Sequence, residues 1–435
     1  MLRNLNPVRA LQESRLARNT GWMFVGQGLR FIIQALYFAV IARGLGVASY
    51  GVFVGVVALI GILSPFGTLG SGFLIIKNVS RDPKLFAQYW GRALLTTIGS
   101  SSTLFLVVLM LARFVLPATI PIELLVCVAA SDLFAGSVTL VCWQAFQAFE
   151  QLNWTATLNV ILSTSRLLGA VILVVFERHP SATQWGAFYF VSTAIAAVIA
   201  LTLVFTKLGG PSFRFHRNMG SLREGFCFSA SLSAQTIYND IDKTMLARLG
   251  TLEATGIYGA ACRLIDVSFT PVASLLAAAY PHFFRAGKDG LGASMRYAKG
   301  LMKRALGYAS LVCIVLLLVA GAVPYILGAE YKLTEDALRW LAVLPVLKVI
   351  HFFLSDALTS AGYIEVRTAI QVGVAVFNVL INLWIIPAYS WRGAAWSSIA
   401  SDALLACAVG TAVFVLSRSK RLVRGAGPVE VRVEV

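Results

Sequence analysis

Stretches of 18 or more predominantly apolar residues recur along the whole of this 435-residue chain. Each is long enough to cross a hydrocarbon core about 30 Å thick at a helical rise of about 1.5 Å per residue. The clearest is GWMFVGQGLRFIIQALYFAVIA, residues 21–42. Hydrophobic residues make up 58% of the chain against 13% charged, with a mean hydropathy of +0.78, so its surface needs lipid around it. The pattern predicts an all-α polytopic membrane protein of about 12 transmembrane helices, at roughly 21–42, 51–75, 92–112, 119–143, 155–177, 183–206, 225–248, 256–282, 305–327, 337–360, 365–387 and 392–416.

The placement of charge sets the orientation. With both termini in the cytoplasm, inner tails and loops carry 24 of the 36 Lys and Arg and outer loops carry 7, as the positive-inside rule requires. The inner loop at 144–154 carries none. The net charge of +16 is therefore a topology signal, and no nucleic-acid partner is expected. Arg3, Arg9, Arg15 and Arg18 precede the first span without a small-residue cleavage site, so no removable signal peptide is expected. Six cysteines (Cys127, Cys142, Cys227, Cys262, Cys313, Cys407) and four histidines (His179, His216, His282, His351) are dispersed, which suggests neither disulfides nor a metal site.

No polar segment is long enough for a nucleotide-binding domain. GTLGSGF (67–73) is not followed by Lys-Ser or Lys-Thr, so it reads as small-residue helix packing and not as a phosphate loop. More informative is an internal echo: ARGLGVASYGVF (42–53) resembles ARLGTLEATGIY (247–258) at an offset near half the chain. It points to two six-helix halves in the same orientation.

Five cations fall within spans: Arg30, Arg166, Lys243, Arg263 and Lys348. Each costs about 2.5–3.5 kcal/mol near the bilayer centre, so it faces the protein interior or a water-filled space. Asp132, Asp240, Asp242, Asp266, Asp356 and Asp402 also lie within spans. The spacings Asp240–Lys243 and Arg263–Asp266 put each pair on one helical face. Arg30 and Arg166 have no acidic residue within four positions, so a partner must come from another helix or from a bound anion, and the anion is preferred. NDIDK (239–243) contains an Asp-x-Asp triplet of the kind that holds a metal and a nucleotide diphosphate in glycosyltransferases. Its carboxylates point apart on an apolar helix, which argues against an enzyme. Arg43 and Arg248 read as headgroup anchors, Trp90, Trp185, Trp391 and Trp396 as interfacial belt residues, and Pro65, Pro271 and Pro345 as kinks.

A basic N-terminus, a first span with a buried Arg ending in RGLG-x-x-x-YG-x-F, and the stretch YNDIDKTMLARLGTLEATGIYGAACRLID together resemble the polysaccharide transporters, the Wzx-type oligosaccharide flippases of the MATE-like (MOP) superfamily. The resemblance covers nearly the whole chain and implies two parallel six-helix bundles. It divides the chain into a basic segment 1–20, a lobe 21–206, a linker 207–224, a second lobe 225–416 and a tail 417–435. It implies a bacterial inner-membrane flippase that turns a polyprenyl-diphosphate-linked oligosaccharide outward for a surface polysaccharide such as the O-antigen of lipopolysaccharide, by alternating access around a cationic central cavity. Polymerase or glycosyltransferase partners would follow. Arg30, Arg166, Lys243, Arg263 and Lys348 would then bind substrate, and Asp132, Asp240, Asp242 and Asp266 are the candidates for coupling to H+ or Na+. The rivals are a multidrug exporter of the same superfamily, for which acidic walls are expected, and a membrane-embedded glycosyltransferase, for which a large outer loop is expected.

Overall fold

The computed structural model describes the backbone of residues 7–80, 82–213 and 219–425. The side chains of the basic segment 1–20, of residues 214–224 and of 419–435 lie outside the described residues, and with them much of the expected linker and tail. Among the described residues there are helices and turns and no strand. The first helices are α1 (Pro7–Leu63), α2 (Ser71–Val79), α3 (Phe86–Val115), α4 (Ile122–Ala129), α5 (Ser137–Ala148), α6 (Leu152–Phe176), α7 (Ala182–Lys207) and α8 (Met219–Leu249). There follow α9 (Leu252–Gly287), α10 (Leu291–Val319), α11 (Val323–Leu327), α12 (Lys332–Leu341), α13 (Leu344–Ser360), α14 (Ile364–Tyr389) and α15 (Trp391–Gly425).

Among the described residues, nine helices are long and apolar enough to cross a membrane, or ten if the bent pair Ala329–Leu341 and Leu344–Ser360 is one span. Two features close the gap to the expected twelve. The first of the nine, Gly28–Val79, contains two limbs, because α1 breaks at Gly46 (φ 71°, ψ 168°), between the expected first and second spans. Only glycine adopts that conformation without strain. The other is α8, 31 residues long but too polar to pass on composition, since it carries the NDIDK segment.

The chain forms two compact units, one of residues 1–259 with 324–331, the other of residues 260–323 with 332–435. In the first unit the segment 324–331 clasps the break in α1. Glu330 accepts the Val47 backbone N–H at 3.1 Å, which would otherwise be an orphan donor at the start of the second limb. The Tyr331 hydroxyl donates to the Ala42 carbonyl at 2.8 Å, and Arg43 donates to the carbonyls of Tyr325 and Ile326, each at 3.3 Å. Arg43 is thus a clasp to helix-end carbonyls and not simply a headgroup anchor. Arg248 likewise donates to the Leu116 carbonyl at 3.4 Å.

The two echoed motifs touch within the first unit. A Cβ added at Gly51 would run into the Leu252 carbonyl, and one added at Gly256 into the Val47 carbonyl. Gly51 and Gly256 are equivalent in the two copies, as are Val47 and Leu252, so the contact is reciprocal. Val54 and Gly259, also equivalent, meet each other. Backbone therefore lies on backbone across a local pseudo-two-fold axis. The GTLGSGF glycines are also close approaches, Gly67 to Ser137, Gly70 to Gly225 and Gly72 to Gln144, so that segment packs helices as expected.

Trp90 and Trp185 are fully buried and Trp391 nearly so, each inside the protein and not in an interfacial belt. Trp90 stacks on Phe86, and Trp185 meets Tyr37, Phe53 and Tyr189. Pro65 lies in a 3-10 turn after α1 and Pro345 in the first turn of α13; of the three prolines expected to kink spans, Pro271 alone sits inside a long helix. The second unit packs α10 on α13 and α15 on both α13 and α14. Large apolar side chains such as Met110, Phe114, Phe176, Leu318 and Trp384 are exposed, the inversion that a lipid solvent permits.

Candidate functional site

One polar centre of the first unit is built around Arg166. It grows from a π-helical turn, residues 130–136, between α4 and α5. Such a turn inserts an extra residue and commonly marks functional positions. Asp132 on that turn accepts from Arg166 Nη2 of α6 at 3.3 Å and from the Tyr189 hydroxyl of α7 at 3.0 Å. Arg166 Nε donates to Thr193 Oγ at 3.2 Å, and the guanidinium carbon lies 4.1 Å from the centre of the Tyr189 ring. Tyr189 and Thr193 are one turn apart on α7, so a single helical face presents both ring and hydroxyl. Phe53, Tyr37 and Trp185 extend this wall.

The preferred reading of Arg166 as a cation awaiting an anion is therefore corrected: its partner comes from another helix. The local sequence concealed the pair because 34 residues separate the two. The guanidinium is not used up, however. Its Nη1 amino group has no acceptor among the described residues, and the side chain keeps 22% exposure. Arg30, half-buried, lies two turns before Tyr37 on the same face of α1.

On α8, Lys243 pairs with Asp240 as the i,i+3 spacing predicts. Asp242 is buried, accepts from the Tyr258 hydroxyl and takes the Lys243 backbone N–H at 2.8 Å. Lys243 thus serves both carboxylates of the triplet, Asp240 through Nζ and Asp242 through its backbone N–H. Among the described residues no cluster of His, Cys, Asp or Glu that could hold a metal ion occurs.

In the second unit Asp266 of α9 lies 3.6 Å from Lys348 of α13. The expected Arg263–Asp266 pair is not formed; Arg263 is half-buried with no ion pair among the described residues. Three groups escaped the sequence reading. Arg367, at the inner edge of the expected span 365–387, donates to Asp356 at 3.3 Å and to Thr359 at 2.8 Å. His351 lies 3.6 Å from Asp402. Asn378, Asn382, Ser397 and Ser401 form a buried ladder joining α14 to α15. The ladder had a signal, since Asn-x-x-x-Asn and Ser-x-x-x-Ser put like polar groups on one face of each apolar helix.

This architecture defines a polytopic helical membrane protein with a MATE-like fold. The chain is similar to the inward-facing conformation of a multidrug resistance MATE family transporter of the MOP superfamily, with a TM-score of 0.75 at 15% identity over 93% of this chain and 100% of that one. It is similar also to the lipid II flippase MurJ in an inward closed conformation, with a TM-score of 0.74 at 9% identity over 90% of this chain and 87% of that one. No curated protein sequence matches it. The chain belongs to the family described as polysaccharide biosynthesis protein, whose profile matches residues 16–286.

Proposed function

We propose that the protein flips a polyprenyl-diphosphate-linked oligosaccharide from the cytoplasmic to the periplasmic leaflet of a bacterial inner membrane, by alternating access, during assembly of a surface polysaccharide. Diphosphate and sugar cannot cross hydrocarbon unaided, because their hydration would be stripped without replacement. Fixed guanidinium groups replace part of that shell, and their planar donors match phosphate oxygens in pairs. The observation that carries the reading is Arg166, held on one edge by Asp132 and Thr193 while its Nη1 edge is open to a ligand. Membership of a polysaccharide biosynthesis family and a fold shared with a lipid II flippase support it. Arg30, Lys243, Arg263 and Lys348 are proposed as further contacts to the diphosphate or to acidic sugars.

The test is reconstitution of purified protein in vesicles with a fluorescent lipid-linked oligosaccharide, scored by accessibility of the label to an impermeant quencher. Wild-type protein should move the label, and Arg30→Ala and Arg166→Ala should lose at least tenfold in rate while remaining folded. Full transport by both variants would refute the substrate-binding role. Export of a cationic dye with no movement of the lipid-linked sugar would favour the multidrug reading instead.

A further inference from the structure

We propose that His351 and Asp402 form a proton-binding centre in the second unit. His351 projects from the middle of α13 and Asp402 from α15, their side chains 1% and 8% exposed, with Nε2 and Oδ1 3.6 Å apart. An imidazole beside a carboxylate in a place closed to water is a two-state element. One proton turns a neutral ring beside an anion into an ion pair, and its loss reverses the change. The lower the local dielectric, the larger the difference in attraction between the two states.

Other charged groups stand around the pair. From α13 itself, Lys348 stands one turn before His351 and Asp356 about a turn and a half after it; from α14 comes Arg367, and from α9 come Asp266 and Phe269, with Arg263 one turn before Asp266. α10 offers only small or apolar buried side chains, among them Ala305 and Ala309. Lys348 and Arg367, the cations whose fields reach His351, already stand against Asp266 and Asp356. Lysine and arginine keep their protons across the physiological range, whereas imidazole does not. Of the basic side chains in this group, the imidazole is the one whose proton exchanges most readily. Asp132 and Asp240, offered by the sequence as coupling groups, stand against Arg166 and Lys243 in the first unit.

The ladder beside the pair turns a change of charge into a change of packing. Ser397 donates to Asn382 at 2.5 Å, Asn382 to Asn378 at 3.0 Å, and Asn378 to Ser401 at 2.9 Å, all fully or almost fully buried. It fixes α14 to α15 up to the residue preceding Asp402. Beside the Arg367 contacts from α14 to α13, the link from α15 to α13 is tightened when the imidazole is charged and slackened when it is not. Proton occupancy thus adds to, or takes from, the hold of α13 on a pair of helices that the ladder keeps together.

The experiment reads proton binding directly, without substrate. Protein carrying ring-15N histidine, in lipid nanodiscs, is titrated while ring nitrogens are followed by NMR; the His351 signal is assigned by replacing His179, His216 and His282 with Gln, so that His351 itself need not be altered. We expect a ring signal that changes protonation state, and whose midpoint moves in Asp402→Asn. Net proton uptake by His351→Gln should fall by one. A His351 signal insensitive both to pH and to Asp402→Asn overturns the proposal, as does a sodium-dependent shift lost in Asp402→Asn while the ring is silent. Coupling of this proton to transport rests on the flippase reading. If vesicles show no lipid-linked sugar movement yet the ring titrates as stated, that reading fails and the proton centre stands.

Discussion

At the scale of single residues, the Arg166 centre makes a sharp prediction about charge balance. Arg166→Ala leaves Asp132 with the Tyr189 hydroxyl and Ser131 but no cation. Removing one partner of a buried pair costs about 3–5 kcal/mol, and the partial exposure of this one places it at or below the lower end. Adding Asp132→Asn should recover most of the loss of thermal stability measured in detergent, while transport stays lost, because the open guanidinium edge is gone in both variants. Arg166→Lys should keep the ion pair yet transport poorly, since a point charge cannot present two parallel donors. The sequence made such residues visible by their cost in lipid, but their partners were legible only where they were local. Asp240–Lys243 follows from helical spacing, whereas Arg166–Asp132 and Lys348–Asp266 require knowing which helices are neighbours. His351 was passed over because a dispersed histidine has no pattern to expose it.

At the scale of elements, the break at Gly46 and its clasp are the features most open to a stability measurement. Gly46→Ala forces a side chain into a backbone region essentially reserved for glycine, at a cost of about 1–3 kcal/mol, and pushes against Glu330. Glu330→Ala removes the acceptor for the Val47 N–H, a loss comparable to a helix cap at about 1 kcal/mol. By contrast a Cβ added at Gly307 in α10 would meet nothing within 4 Å, so Gly307→Ala should be neutral or stabilising by up to about 1 kcal/mol. Differential scanning fluorimetry of the three variants should order them accordingly. The hydrophobic pattern foretold that a helix ends near residue 42 and another begins near 51, because polar and glycine residues interrupt the run. It did not foretell the π-helical turn at 130–136, which no residue type specifies.

At the scale of the whole molecule, the bias of 24 inner against 7 outer basic residues predicts orientation. Reporter fusions that are active only outside the cytoplasm should work at residue 179 and fail at residues 210 and 290; the reverse pattern would invert the topology. The expected spans already included 225–248, despite the charges of NDIDK in α8, and placed 21–42 and 51–75 on either side of the break in α1. The echo of the first and second halves was legible too, but not that its two copies touch. That contact makes an exchange possible. Val54→Gly leaves a hole at the crossing and Gly259→Val overfills it, so each alone should lower the melting temperature. Made together, they carry the same isopropyl group to the facing wall of the same gap, and a chain with a true local dyad should accept the trade.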